Sequence, residues 1–543
     1  MVKRQHLLMM KRWQRISLLV FSAILLGIPW SKTGIATERP ERHTEIIVPY
    51  TEYEWWLISW SDNQAKCSIL VDHEGLPTDD DVYVYCGKEL YEDWYETEPC
   101  EPAVDEGEST TSCTGLYLHQ VASTPQEKTV LVELPIPEAW ITIVGCSPMP
   151  PENRCEELPS LLITGEEPLP NESIIQIQGI FNDIPFMCEG ENCEVPLRPT
   201  PIEGAQVEFW ADSSYGDSSE HYTALVRVTD SGVSVAPGTG GWFVDLMSSR
   251  WLGEQVGSCA QVWGTFPPVG GPPAWLSSPD FPQLLSSDEP YTYLAGRLIT
   301  RGIVNANECP TGGLEDNGYA NTCGLEKART DVDTWQNRFD AQIVEVAHET
   351  GVPAQLIKNL FAQESQFWPG AFNDSKEFGL GQLTEMGADT VLLWNDDFFF
   401  QFCPLVLDTS VCELGYAQLS EEDQATLRGA VATQATADCP ECPAGIDLTQ
   451  ADFSVRFFAQ AMQANCEQVG QIVSNARGQI PGAVSNYEDL WRFTLVNYHA
   501  GPGCLSKAIS KVSSGSALNW ENLQTPLNAE CPGVVEYVNT ISD

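Results

Sequence analysis

The sequence predicts a multidomain chain, with N-terminal all-β, sandwich-like modules followed by a mainly α-helical domain. Three observations carry this. The chain has 543 residues, more than one core serves at roughly 150 residues per domain. Through most of the first 290 residues, apolar and polar side chains alternate, the period of half-buried strands. From Trp335 onward the period is helical, as in Trp335, Phe339, Ile343, Val346 and Ala347.

The elements follow in order. Residues 1–36 read as a secretory leader. Lys3, Arg4, Lys11, Arg12 and Arg15 precede an apolar run from Ile16 to Ile28, and Gly34-Ile35-Ala36 offers a cleavage site. A β-rich, disulfide-containing module is expected at 37–160. Its strands are Ile46–Tyr53, Trp55–Ser61, Val82–Tyr85 after the acidic turn Asp79–Asp81, Thr129–Leu134 and Trp140–Val144. A second β-sandwich module is expected at 161–290, with alternation at Val207 and Phe209 and again at Tyr222, Ala224, Val226 and Val228. Its Ala205–Val228 segment, containing Trp210-Ala211-Asp212-Ser213-Ser214, resembles bacterial Ig-like modules. Trp55, Trp56, Trp60 and Trp94 are candidates to stack on sugar rings, with core packing the plainer reading. A Gly/Cys-rich connector spans 291–330, and the helical domain 331–543.

Composition narrows the function classes. With 28 Lys+Arg against 76 Asp+Glu, the net charge is -48, which opposes a nucleic-acid or anionic-lipid surface. Removing the leader with its six Lys/Arg leaves 22 basic residues and a net charge of -54. Beyond the leader no apolar run reaches the ~20 residues of a membrane span. Export makes the 18 cysteines disulfide formers, with Cys188/Cys193, Cys146/Cys155, Cys403/Cys412 and Cys309/Cys323 as short-loop pairs. Cys439-Pro-Glu-Cys442 has redox or half-zinc spacing, but a second such pair is missing and the seven histidines lie apart. No metal and no cofactor is expected.

Glu364 is the most informative residue. After Gly351 as a stop and Pro353 in a first turn, a helix carries Leu356, Ile357, Leu360 and Phe361. Ile357, Leu360 and Phe361 lie seven, four and three positions before Glu364, so its carboxyl shares their apolar face. Desolvation raises the pKa of such a carboxyl and suits it to donate a proton near neutrality. Downstream, Leu490, Trp491, Leu495 and Tyr498 line one helical face before a Gly-rich exit. Phe398–Phe402, with Trp394 before it, reads as a buried helix, and the alternative is a cleft wall. Cys403–Cys442 reads as a disulfide-laced elaboration, and helices are expected at Ser454–Cys466 and Cys531–Ile541.

Three segments in this order are Gln363-Glu364-Ser365, Gly379-Leu380-Gly381-Gln382 and Asn497-Tyr498-His499-Ala500-Gly501. Over about residues 335–541 the chain resembles the soluble lytic transglycosylase family, with its goose-type lysozyme-like fold. The resemblance implies that Glu364 is the catalytic acid/base, and that Ser365, Gly379, Gln382, Tyr498 and His499 order the site or contact substrate. Gly381 stands where the family has Met, which is expected to open one cleft wall. His499 stands where it has Asn, so a neutral amide becomes a titratable ring. The implied substrate is the glycan strand of peptidoglycan, cleaved between N-acetylmuramic acid and N-acetylglucosamine to give 1,6-anhydro ends. A hydrolase on the same fold is the alternative, with Asp374, Glu377 or Glu385 as a water-holding carboxylate. A non-catalytic glycan-binding protein of the cell envelope is the third reading.

Overall fold

The computed structural model describes residues 42–97, 114–147, 153–236, 239–252, 258–287, 290–371, 377–513 and 515–542. The expected leader and Asp374 lie outside the described residues. The chain divides into two compact units, one of residues 1–136 with 215–217, the other of residues 137–214 with 218–543.

In the first unit β1 (His43–Ser59) runs between β2 (Ala65–Val71) and β3 (Leu116–Glu133), antiparallel to both. The two segments expected at Ile46–Tyr53 and Trp55–Ser61 are one strand, with a register shift at Glu54/Trp55. The strand expected at Val82–Tyr85 is instead part of helix α1 (Asp79–Tyr95). The acidic triplet is its first turn rather than a β-turn. Thr78 caps it, accepting from Asp81 N, while Asp81 reaches back to Thr78 N in a capping box. Only Val82 of this run is buried, so its alternation recorded no sheet face. Val82 packs with Trp55, Leu57, Ile69 and Leu116, and the Cys67–Cys86 disulfide ties β2 to α1. Trp55 is therefore core, whereas Trp56 is 37% exposed and bonds Glu54.

The second unit begins with a two-sheet sandwich. One sheet has three strands, β4 (Glu138–Val144), β6 (Ser160–Glu166) and β9 (Asn192–Pro196), with β6 in the middle. The other has the order β5-β12-β11-β10-β7-β8. These are β5 (Arg154–Cys155), β7 (Ile174–Phe181), β8 (Ile184–Glu189), β10 (Ala205–Ser213), β11 (Tyr222–Ala236) and β12 (Thr239–Met247). Ile141, Ile163, Ile177, Val207, Phe209 and Val226 form the shared core. β4 pairs with β6 from Glu138/Glu166 to Val144/Ser160, across the border expected at 160/161. Pairing partners lie far apart in the chain, so local composition did not mark this. Six strands face three here, against four and three in an immunoglobulin constant-type sandwich.

Helices follow from residue 258. They are α2 (Ser258–Trp263), α3 (Thr292–Thr300), α4 (Thr322–Asn337), α5 (Asp340–Thr350), α6 (Ala354–Ser365), α7 (Glu385–Trp394), α8 (Asp396–Phe402) and α9 (Thr409–Cys412). Then come α10 (Glu421–Ala435), α11 (Leu448–Arg477), α12 (Tyr487–Ala500), α13 (Pro502–Lys511), α14 (Trp520–Glu530) and α15 (Val534–Ser542). The 30-residue α11 packs against α2, α5, α7, α10, α12 and α13, and buries Val455, Phe458, Met462 and Val469. Trp335 and Ile343 belong to separate helices, because the chain breaks at Arg338–Phe339. The expected connector is itself part of this core through Tyr293, Leu294, Ala295 and Leu298. In the Phe-rich run, Phe399 and Phe402 are buried and Phe400 is 51% exposed, so burial wins along one face.

All four short-loop disulfides form, as does Cys439–Cys442, and no described cysteine is free. Cys259–Cys466 and Cys504–Cys531 add longer links. This density fits an oxidising compartment. No helix among the described residues is long and apolar enough to cross a membrane.

Candidate active site

Glu364 sits in the last turn of α6, whose Ile357, Leu360 and Phe361 are fully buried as their spacing dictates. The helix is held at several points. Lys358, fully buried, reaches Asp340 at 2.5 Å and Asn337 at 3.1 Å, tying α6 to the α4–α5 junction. Gln366 then leaves the helix at φ 49° and Phe367 follows at φ 64°, conformations that cost a bulky residue energy. Tertiary bonds hold them. The Gln366 side-chain oxygen accepts from Tyr293 N at 2.8 Å, and Phe367 O accepts from Trp335 Nε1 at 2.9 Å.

The Gly379–Gln382 turn lies alongside. Ser365 Oγ donates to Leu380 O at 2.7 Å, so it binds helix and turn together. Gly379 has φ 74°, and a Cβ there would come 2.1 Å from Ala435 O at the end of α10. Gln382, at φ 52°, closes the turn through Nε2 to Gly379 O at 2.8 Å. Tyr498 ends α12 and donates its hydroxyl to Gly381 O. The room expected beside Gly381 is not open: a Cβ there would meet Phe458 at 2.5 Å and the Tyr498 hydroxyl at 2.6 Å. Phe458, on α11 and distant in sequence, takes the space that a longer side chain at 381 would need.

Tyr537 was not singled out from sequence. It lies on α15, which packs on α6 and α12, and its hydroxyl donates to Glu364 Oε1. Its ring stacks on His499, centroids 3.8 Å apart and planes 13° apart. The only local signal was its place in the Val534, Val535, Val538 stripe, which marks a core tyrosine and says nothing of the partner 173 residues away.

These contacts set the protonation states. Burial pushes the Glu364 carboxyl up to about 7; the Tyr537 hydroxyl pulls it down and the Glu377 carboxylate pushes it up. Burial and the nearby Glu364 hold both Tyr498 and Tyr537 well above the usual phenol range. The His499 side chain is exposed, yet partial desolvation lowers its pKa, with Glu377 pushing it the other way. Of the two candidate carboxylates among the described residues, Glu377 is the one whose charge reaches the acid. Glu385 instead starts α7 and pairs with Arg428 at 3.4 Å. Among the described residues no cluster of His, Cys, Asp or Glu could hold a metal.

A cavity of about 530 Å³ lined by Trp394, Asp396, Asp397 and Glu467 shares no residue with this constellation. Glu364 is the candidate site, a half-buried acid with a donor and a neighbouring charge. Comparison with known protein families, curated proteins and solved structures returned no match.

Proposed function

We propose that the protein is a secreted lytic transglycosylase acting on the glycan strands of peptidoglycan in the cell envelope. The observation that carries this reading is Glu364: a carboxyl held near pKa 7 by burial, at a helix end braced by Ser365 and bonded by Tyr537. Such a group is protonated often enough at neutral pH to donate, and is a competent base once it has done so. In this mechanism Glu364 protonates the glycosidic oxygen. The substrate's 2-acetamido oxygen closes on the ring carbon as the bond breaks. Carboxylate Glu364 then removes the C6 hydroxyl proton, and that oxygen displaces the acetamido oxygen, giving the 1,6-anhydro sugar.

A hydrolase is the second reading, favoured by Glu377, whose charge acts on both Glu364 and His499. A carboxylate there suits a water as nucleophile. Mass spectrometry of peptidoglycan digested by the wild-type chain and by Glu364→Gln separates the two. Anhydro ends that vanish in the variant support transglycosylation. Reducing ends, one water (about 18 Da) heavier, move the assignment to hydrolysis through Glu377. Absence of products from a folded wild type over about pH 4–8 overturns both.

A further inference from the structure

His499 lies in the last turn of α12, with its side chain exposed. Its ring lies face to face with Tyr537 at 3.8 Å, and Tyr537 donates to Glu364. Imidazole, phenol and acid therefore form a three-member chain of contacts drawn from three helices. Among the described residues, the groups that act on the imidazole are phenolic or acidic. Tyr537 comes from α15, Glu377 from the segment before Gly379, and Glu364 from α6 behind the phenol; Tyr498 is its neighbour on α12. Among the described residues no Lys or Arg pairs with Glu364, Glu377 or His499. Protonated His499 would add a positive charge to this site.

We propose that His499 is a positioning residue for the acid: its neutral ring braces the Tyr537 phenol on Glu364, and its protonation shuts the site. The inference rests on the lytic reading and adds its regulation. While the ring is neutral, the stack fixes the direction of the phenol hydroxyl. An imidazolium at the same place neutralises Glu377 and opposes the positive charge that develops on the sugar ring as the bond breaks. Cleavage is then confined between two titrations, loss of the Glu364 proton on the alkaline side and gain of the His499 proton on the acid side. The two groups interact through Tyr537, so the limbs belong to the pair.

Two substitutions divide the roles. His499→Phe keeps a flat ring on Tyr537 and removes the charge. His499→Ala removes both. The experiment records initial rates of glycan cleavage by the full chain across about pH 4–8, with kcat and KM separated. Carbon-13 NMR of selectively labelled glutamate carboxyls follows Glu364, assigned by the signal lost in Glu364→Gln. Wild type is expected to give a bell-shaped kcat. His499→Phe should lose the acid limb, keep the alkaline limb, and retain several-fold more of its maximal rate near pH 5. His499→Ala should release the phenol; the Glu364 titration and the alkaline limb then move up by about one pH unit, and kcat falls with little change in KM.

An acid limb that persists in His499→Phe overturns the switch. A Glu364 titration unmoved in His499→Ala overturns the brace. If the wild type cleaves nothing, the lytic reading fails while the carboxyl titrations still decide the brace.

Discussion

Replacing Glu364 with Gln probes the acid without any substrate. Burial lifts this carboxyl from 4.5 to about 7 in the folded chain. At 1.36 kcal/mol per pH unit, that is roughly 3 kcal/mol of linkage between folding and protonation. A raised folded-state pKa means the folded chain keeps a proton that the unfolded chain has released. The contribution is full below about 4.5 and is lost as pH rises through about 7. Gln carries no charge at any pH, and its oxygen still accepts from Tyr537. The variant should therefore match wild type near pH 4 and exceed it by up to roughly 3 kcal/mol at pH 8. At about 2–4 °C per kcal/mol, the helical part should melt roughly 6–12 °C higher at pH 8. Calorimetric scans of both full chains at pH 4, 6 and 8 read this directly. A difference that does not vary with pH, or one that favours wild type at pH 8, refutes desolvation as the source of the raised pKa.

Gly379→Ala should destabilise the fold by more than about 1 kcal/mol, because φ 74° and the Ala435 carbonyl 2.1 Å away both oppose a Cβ; denaturant midpoints measure it. Ser365→Ala should cost about 1–2 kcal/mol by leaving Leu380 O without its 2.7 Å donor, and should lower kcat more than it raises KM. Removing the Cys259–Cys466 link, which spans 207 residues, with a double Ser substitution should cost about 2–5 kcal/mol, read as a lower melting temperature.

The helical site was partly legible because some of its signals are local. Glu364 shares the apolar face of its own helix, and three to seven residues suffice to show it. Gly351 stops α5 in a left-handed conformation, φ 69°, as the sequence suggests. The four short cysteine loops and Cys439–Cys442 are likewise local closures. Val82–Tyr85 was misread because alternation over four residues fits a strand or an exposed helical turn equally. The capping box at Thr78 and Asp81 was the stronger signal.

By itself the sequence determined the β-then-α order, the helix that carries Glu364 and the apolar face that raises its pKa. These depend on periodicity, and periodicity is written residue by residue. Only the tertiary structure decided what the acid meets. It brought Tyr537 from α15 to the carboxyl, placed Phe458 of α11 in the room beside Gly381, and stacked His499 on the phenol. It also set the Glu377 charge against Glu364. Each of these joins residues on different elements, and such contacts follow from how whole helices pack, which no local window of sequence records.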